Sequence, residues 1–321
     1  MTSMEKRTFG RLGEISCLTL GGGGIGQVWG PTSREEAVVT VREAVEAGIT
    51  FLDVAPSYGN GEAERVIGEA FGGRLPAGVR VSTKCRVDNR PAAEVLPLLE
   101  RSLSESLDRM RLDRVELFFL HNQIVPDDKA DRYLGTPRRL FIEAVRPALE
   151  RLVASGCVGA WGITGIGVPD TIIETLNDGQ PPAAIQAVAN LLDSPGAMRL
   201  YDEPARPRDI IAAAHRRGIG VMGIRAVQAG ALTDAFDRAV AEDHPDMADY
   251  RRAEPFRALA RELGQSPASL AHRYALSIAG VSTVILGVKN RSELSESLEA
   301  AAGGPLDPEL MARIDAAIRS S

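Results

Sequence analysis

Apolar residues follow two periods in turn along this chain. Short runs rich in Val, Ile, Leu and Phe give way to longer stretches where apolar positions return every three or four residues. The first pattern predicts buried strands and the second amphipathic helices. Strands are expected at 17–20, 49–53, 79–84, 115–121, 159–164, 184–188, 219–224 and 283–287. The first helix opens at Ser33, a capping residue with Glu35 and Glu36 behind it, and stops at Gly48. Further helices are expected at 62–71, 91–110, 137–154, 170–176, 208–217, 255–263, 268–278 and 292–302. Strand–helix alternation implies a parallel sheet. Eight such units imply an α/β fold closed as a (β/α)8 TIM barrel, with the open doubly wound sheet as the alternative. Positions 7–15 read as an N-terminal β-hairpin ahead of the barrel, and 308–318 as an extra C-terminal helix behind it. Positions 122–136 read as a long polar loop. No linker or low-complexity segment interrupts the pattern, so a single domain over 1–321 is expected.

Composition narrows the function classes. The 321 residues are 44% apolar and 25% charged, as in ordinary globular proteins. A formal charge of −6 argues against a nucleic-acid surface. Cys17, Cys85 and Cys157 are odd in number and widely spaced, with no CxxC or Cys/His ligand pattern, so neither a disulfide framework nor a metal site is expected. A reducing, cytoplasmic setting fits that usage. The charged start of the chain has no apolar signal core, and no apolar run approaches the roughly 18 residues of a membrane span.

The candidate chemistry sits at strand ends. Three successive predicted strands finish on ionisable residues: Asp53, Lys84 and His121. Barrel enzymes place their reacting groups there. Tyr58 follows Asp53 in the turn Val54-Ala55-Pro56-Ser57-Tyr58-Gly59-Asn60-Gly61. A lysine ammonium beside a phenol is expected to lower its pKa and make it a better acid. The run Gly21-Gly22-Gly23-Gly24 after the first strand lets backbone approach a ligand. It lacks the P-loop pattern, and no helix is expected to open directly after it. His215, His244 and His272 have no ligand partners at useful spacing and are assigned to surface or helix ends.

On Phe51-Leu52-Asp53-Val54-Ala55-Pro56-Ser57-Tyr58-Gly59-Asn60-Gly61, Ser82-Thr83-Lys84, Leu120-His121-Asn122 and Gly287-Val288-Lys289-Asn290, the chain resembles the aldo-keto reductase superfamily over nearly its whole length. The resemblance implies a metal-free oxidoreductase that interconverts aldehydes or ketones with alcohols. NADP(H) is favoured over NAD(H), and the partner is a small carbonyl or alcohol. A slow nucleotide-binding redox sensor on the same fold is the alternative. The resemblance implies Tyr58 as general acid/base, Lys84 as its tuner, Asp53 as the lysine's anchor and His121 as the orienting group. It places Gly22, Gly23, Asp53, Thr164, Gln186, Ile224, Arg225, Gly230, Gly287, Lys289, Arg291, Glu293 and Ser297 against the cofactor. Trp29, Tyr58, His121 and Asn122 face the substrate, with 123–125 and the loop around Arg199, Tyr201 and Asp202 also at the mouth. Several positions depart from the family pattern. Thr164-Gly165 replaces a Ser-Asn pair. Ile224-Arg225 stands where a tyrosine would stack on nicotinamide, so Arg225 is placed for a pyrophosphate or an anionic substrate. Lys289 and Arg291 suit a 2′-phosphate. Glu293 suits a free ribose hydroxyl instead.

Overall fold

The computed structural model describes residues 4–234, 236 and 238–319. Residues 1–3, 235, 237, 320 and 321 of the single-domain reading therefore lie outside the described residues. Eight parallel strands close into a barrel: β1 (Leu18–Gly21), β2 (Phe51–Asp53), β3 (Arg80–Cys85), β4 (Val115–Leu120), β5 (Val158–Thr164), β6 (Ala184–Val188), β7 (Gly220–Ile224) and β8 (Thr283–Leu286). Each pairs with its sequence neighbour, and β8 returns to β1 through Val284↔Leu18 and Leu286↔Leu20. The hairpin Lys6–Thr8 with Glu14–Ser16 is antiparallel, as expected.

Two-residue alternation decides what faces inward. Phe51, Leu117, Phe119, Ala184 and Met222 form one buried cluster with Phe9 and Ile15 of the hairpin, and this cluster is the barrel floor. Phe9 is fully buried, edge-on to Phe51 with ring centroids 6.0 Å apart. Burying a Phe in this way contributes about 2–3 kcal/mol. Gly220 is required there, because a Cβ would overlap the Phe9 ring. The alternate residues Leu52, Val81, Phe118, Leu120 and Ile185 belong to the larger core against the helices. Moving up each strand by two from the floor gives Asp53 above Phe51, His121 above Phe119, Gln186 above Ala184 and Ile224 above Met222. The same period that fills the floor with apolar groups therefore aims the polar set into the barrel mouth.

Apart from α7, which no expected span covers, the helices follow the expected spans closely: α1 (Arg34–Glu46), α2 (Glu62–Phe71), α3 (Ala92–Met110), α4 (Arg146–Ala154), α5 (Pro169–Asn177), α6 (Pro207–Arg216), α7 (Pro245–Arg252), α8 (Glu254–Glu262), α9 (Pro267–Ser277), α10 (Arg291–Ala302) and α11 (Pro308–Arg319). The Ser33 side chain caps α1 by accepting from Glu36 N at 3.1 Å. Three readings change. The helix expected over 137–154 runs from Arg138 to Ala154 but carries a wide π turn, Phe141–Val145, ahead of α4. Pro147 has no N–H and crowds the carbonyl four residues back, which a wider turn relieves. A single helical turn, Gly22–Ile25, opens directly after β1 where none was expected. The polar loop 122–136 carries a short parallel pairing, Ile124–Val125 with Thr136–Pro137.

Candidate active site

The turn after β2 brings Tyr58 back over the strand end. Gly59, Asn60 and Gly61 all adopt positive φ (63°, 52° and 82°), a left-handed run that glycine and asparagine tolerate. Gly61 N donates to Pro56 O at 2.7 Å, and Ala63 N donates to Tyr58 O at 3.2 Å as α2 begins. Lys84, fully buried on β3, donates from Nζ to Asp53 Oδ2 at 2.8 Å, to Val54 O at 2.9 Å and to Tyr58 OH at 3.2 Å. All three ammonium protons are thus used, and the phenol takes one of them. The Tyr58 and His121 rings meet edge-on, 5.7 Å between centroids. Asp53, Tyr58, Lys84 and His121 are therefore brought together.

Two further groups hold Asp53. Ser82 Oγ and Gln186 Nε2 both donate to its Oδ1, at 2.6 and 2.7 Å. Ser82 was not singled out in the sequence. Its signal was the strand period, since it lies two residues before Lys84 and opposite Asp53 in register. Gln186 has a structural engagement beyond the cofactor contact expected of it, because one of its N–H groups is committed to Asp53.

The electrostatics correct one expectation. Burial pushes the Tyr58 phenol above its ordinary value of 10. The Lys84 charge pulls it down without cancelling the rise, and Asp53 adds to it. Lys84 shares its charge with Asp53, so the expected net lowering does not occur and the phenol stays protonated. Burial disfavours the Lys84 ammonium, but Asp53 and Tyr58 together outweigh it and raise its pKa. Burial, with Lys84 and Arg86 nearby, holds His121 well below 6.5, so its imidazole is neutral.

A cavity of about 570 Å³ opens beside this set and runs along the ends of β7 and β8. Gly22, Gly23, Trp29, Thr164, Gln186, Ile224, Gly230, Gly287, Lys289, Glu293 and Ser297 line it, as do Asp53, Tyr58 and His121. The glycines serve neighbouring side chains as well as open space. A Cβ on Gly22 would press on the Tyr58 ring at 2.9 Å, and one on Gly23 would overlap the Trp29 indole. The lining suits a long, polar nucleotide. The glycine backbone and Trp29 form one flank, amide and hydroxyl groups (Gln186, Thr164) stand at the inner end, and carboxylates and hydroxyls (Glu293, Ser297) at the outer end. Among the described residues no cluster of His, Cys, Asp and Glu could hold a metal ion, and no helix is long and apolar enough to cross a membrane.

Several expected site residues stand elsewhere. Arg291 is absent from the cavity wall; it turns outward to Glu36 at 3.1 Å and Glu43 at 3.6 Å on α1. Asn122 is buried as a brace and does not line the cavity: its Oδ1 accepts from Val87 N, and its Nδ2 donates to Thr136 Oγ1. Residues 123–125 and the Arg199, Tyr201 and Asp202 side chains are not in the wall either. Arg225 lines it, but its guanidinium is spent on Gln228 Oε1 and Asp246 Oδ1, both at 2.8 Å. A short helix at Pro245–Arg252 supplies that aspartate, and its polar sequence hid it. His244 does cap this helix, accepting from Asp246 N at 3.2 Å.

His272 is neither surface nor helix-end. It is buried in α9 and faces the outer end of the cavity with Ser266 and Glu296. Burial holds its imidazole down at about 4, against an ordinary 6.5. The unfolded chain takes up this proton below pH 6.5 and the folded one only near 4. Stability therefore falls as the pH drops through that window, by about 2 kcal/mol between pH 7 and 5. His272→Leu is expected to remove that part of the acid sensitivity. Urea unfolding at the two pH values measures it, and an unchanged pH slope in the variant would contradict the assignment.

Barrels of this kind react where this cavity opens, and the sequence says which lineage the barrel comes from. Residues 17–319 match the aldo/keto reductase family, and the chain belongs to it. It is accordingly an NAD(P)-dependent oxidoreductase. Among its relatives is L-galactose dehydrogenase of Arabidopsis thaliana, 27% identical over 304 residues, covering 94% of this chain and 89% of that protein. The glycerol dehydrogenase structure from Gluconobacter oxydans superposes with a TM-score of 0.74 at 23% identity, covering 100% of this chain and 96% of the other. An aldo-keto reductase from Klebsiella pneumoniae in complex with NADPH gives 0.70 at 21%, covering 98% and 94%. At those identities the two structures speak for the fold.

Proposed function

We propose that this chain interconverts a polyhydroxylated alcohol and its carbonyl form at Tyr58, with a nicotinamide nucleotide along the cavity. The observation that carries this reading is the convergence of Lys84 Nζ on Tyr58 OH, Asp53 and Val54 O beside that cavity. The nucleotide supplies or accepts the hydride when bound. Tyr58 gives its proton to the carbonyl oxygen, and burial keeps that proton on the phenol until it is needed. Lys84 fixes the phenol oxygen and favours the phenolate left behind. His121, neutral, orients the same oxygen by hydrogen bonding, and Asp53 holds Lys84. Oxidation of an alcohol uses the same groups in reverse.

At the inner end Thr164 and Gln186 would hold the carboxamide, and Ile224 would cover the ring by apolar contact. The polyhydroxylated substrate class rests on a relative named for L-galactose. The family's lean toward NADP(H) gains no support from the cations near α10, because Arg291 is engaged with α1 and Lys289 with Glu293. The test is absorbance at the nicotinamide band with L-galactose, other aldoses, glycerol and simple aldehydes, in both directions. Turnover of simple aldehydes with none of the polyols would overturn the substrate class. Nucleotide binding without turnover of any carbonyl or alcohol would overturn the reaction.

A further inference from the structure

We propose that the outer end of the cavity is built for an unphosphorylated ribose and that Glu293 makes the protein select NAD(H) over NADP(H). The inference rests on the reading that a nicotinamide nucleotide lies along the cavity with its adenosine end toward α10. Lys289 is the cation best placed there for a 2′-phosphate, and Glu293 has taken it on two sides. Lys289 Nζ meets Glu293 Oε1 at 2.8 Å, and Lys289 N donates to Glu293 Oε2 at 2.9 Å. Asn290 caps α10 by accepting from Glu293 N at 3.0 Å, which fixes the backbone that carries the carboxylate.

Among the described residues, the other groups at this end of the wall are acidic or neutral. Glu296 stands one turn further along the wall and accepts from the hydroxyls of Ser266 and Ser269. Ser297 donates its hydroxyl to Glu293 O at 2.9 Å. His272 faces the same space as a neutral imidazole, with its pKa lowered by burial. The remaining arginines of the wall, Arg225 and Arg238, belong to the β7 loop and both meet Asp246. A dianionic 2′-phosphate at this end would face two carboxylates and one lysine already paired. A ribose diol donates to a carboxylate, which is the role an acidic residue plays in NAD recognition. Glu293 is partly exposed, so solvent and salt moderate the repulsion, and the selectivity is expected in tens rather than thousands of fold.

The test is binding, read by quenching of Trp fluorescence and by calorimetry, with NADH and NADPH titrated separately. The wild-type protein is expected to bind NADH about tenfold tighter or more. Glu293→Gln removes the carboxylate and its ion pair with Lys289, and is expected to tighten NADPH about tenfold while moving NADH less than about threefold. Adding Lys289→Met to Glu293→Gln is expected to remove the gain. Equal or tighter NADPH binding by the wild type overturns the proposal, and so does a Glu293→Gln effect equal on both nucleotides. Failure of both nucleotides to bind would overturn the underlying placement of the cofactor as well, so the two failures are distinguishable.

Discussion

Tyr58→Phe is expected to lower kcat by about a thousandfold while nucleotide affinity stays within about twofold. The phenol oxygen is the one group of the set that is both a proton source and open to the cavity. Lys84 touches it at 3.2 Å but is itself fully buried, and Asp53, which also lines the cavity, is held by Lys84, Ser82 and Gln186. Removing the oxygen leaves the ring in place against Gly22 and His121, so the cavity wall is preserved. The loss should therefore fall on kcat and kcat/KM together, the mark of an interaction made in the transition state. The same electrostatics fix the pH dependence in the wild type. Tyr58 is raised from 10 and His121 held well below 6.5, so the phenol is protonated and the imidazole neutral between about pH 7 and 9. Carbonyl reduction is expected to be flat across that window. Steady-state rates with saturating nucleotide measure both. A variant that keeps a tenth of wild-type kcat would remove Tyr58 from the proton-donor role.

The fold was largely legible because one physical rule acts eight times. Most strand positions face floor or helices with apolar groups, Ser82, Thr19 and Thr283 being buried exceptions, and the last inward position is where a polar group meets the mouth. Asp53, Lys84, His121 and Gln186 were visible for that reason. Side-chain partners brought by distant elements were not visible. Arg291 read as a phosphate ligand until α1 supplied Glu36 and Glu43, more than two hundred residues earlier in the chain. Arg225 read as a free cation until Asp246 arrived on a helix too polar to announce itself. Asn122 sits beside a catalytic candidate in sequence, yet the alternation that turns His121 inward turns Asn122 into the loop scaffold. His272 was passed over because a histidine on a helix carries no burial signal of its own; α9 buries it from both sides along its length.

Lys84→Met separates the roles of the buried pair. Met matches the length of the lysine stem without its charge. It leaves Asp53 with Ser82 and Gln186 on Oδ1 but with the Lys84 bond to Oδ2 gone. An aspartate buried in this way and stripped of its cation is expected to cost about 3 kcal/mol, at the lower end for broken buried pairs because two hydrogen bonds remain. Thermal or urea unfolding should show a drop of that size, and turnover should fall by about two orders of magnitude or more, since the phenolate loses its neighbouring charge. Stability and catalysis are then parted by the double variant. Asp53→Asn with Lys84→Met removes the orphaned charge and should recover most of the lost stability, while turnover stays low because the ammonium is still missing. Recovery of both together would make the pair a structural brace with no hold on the phenol. Recovery of neither would mean that the lysine's bond to Val54 O, rather than its charge on Asp53, secures the end of β2.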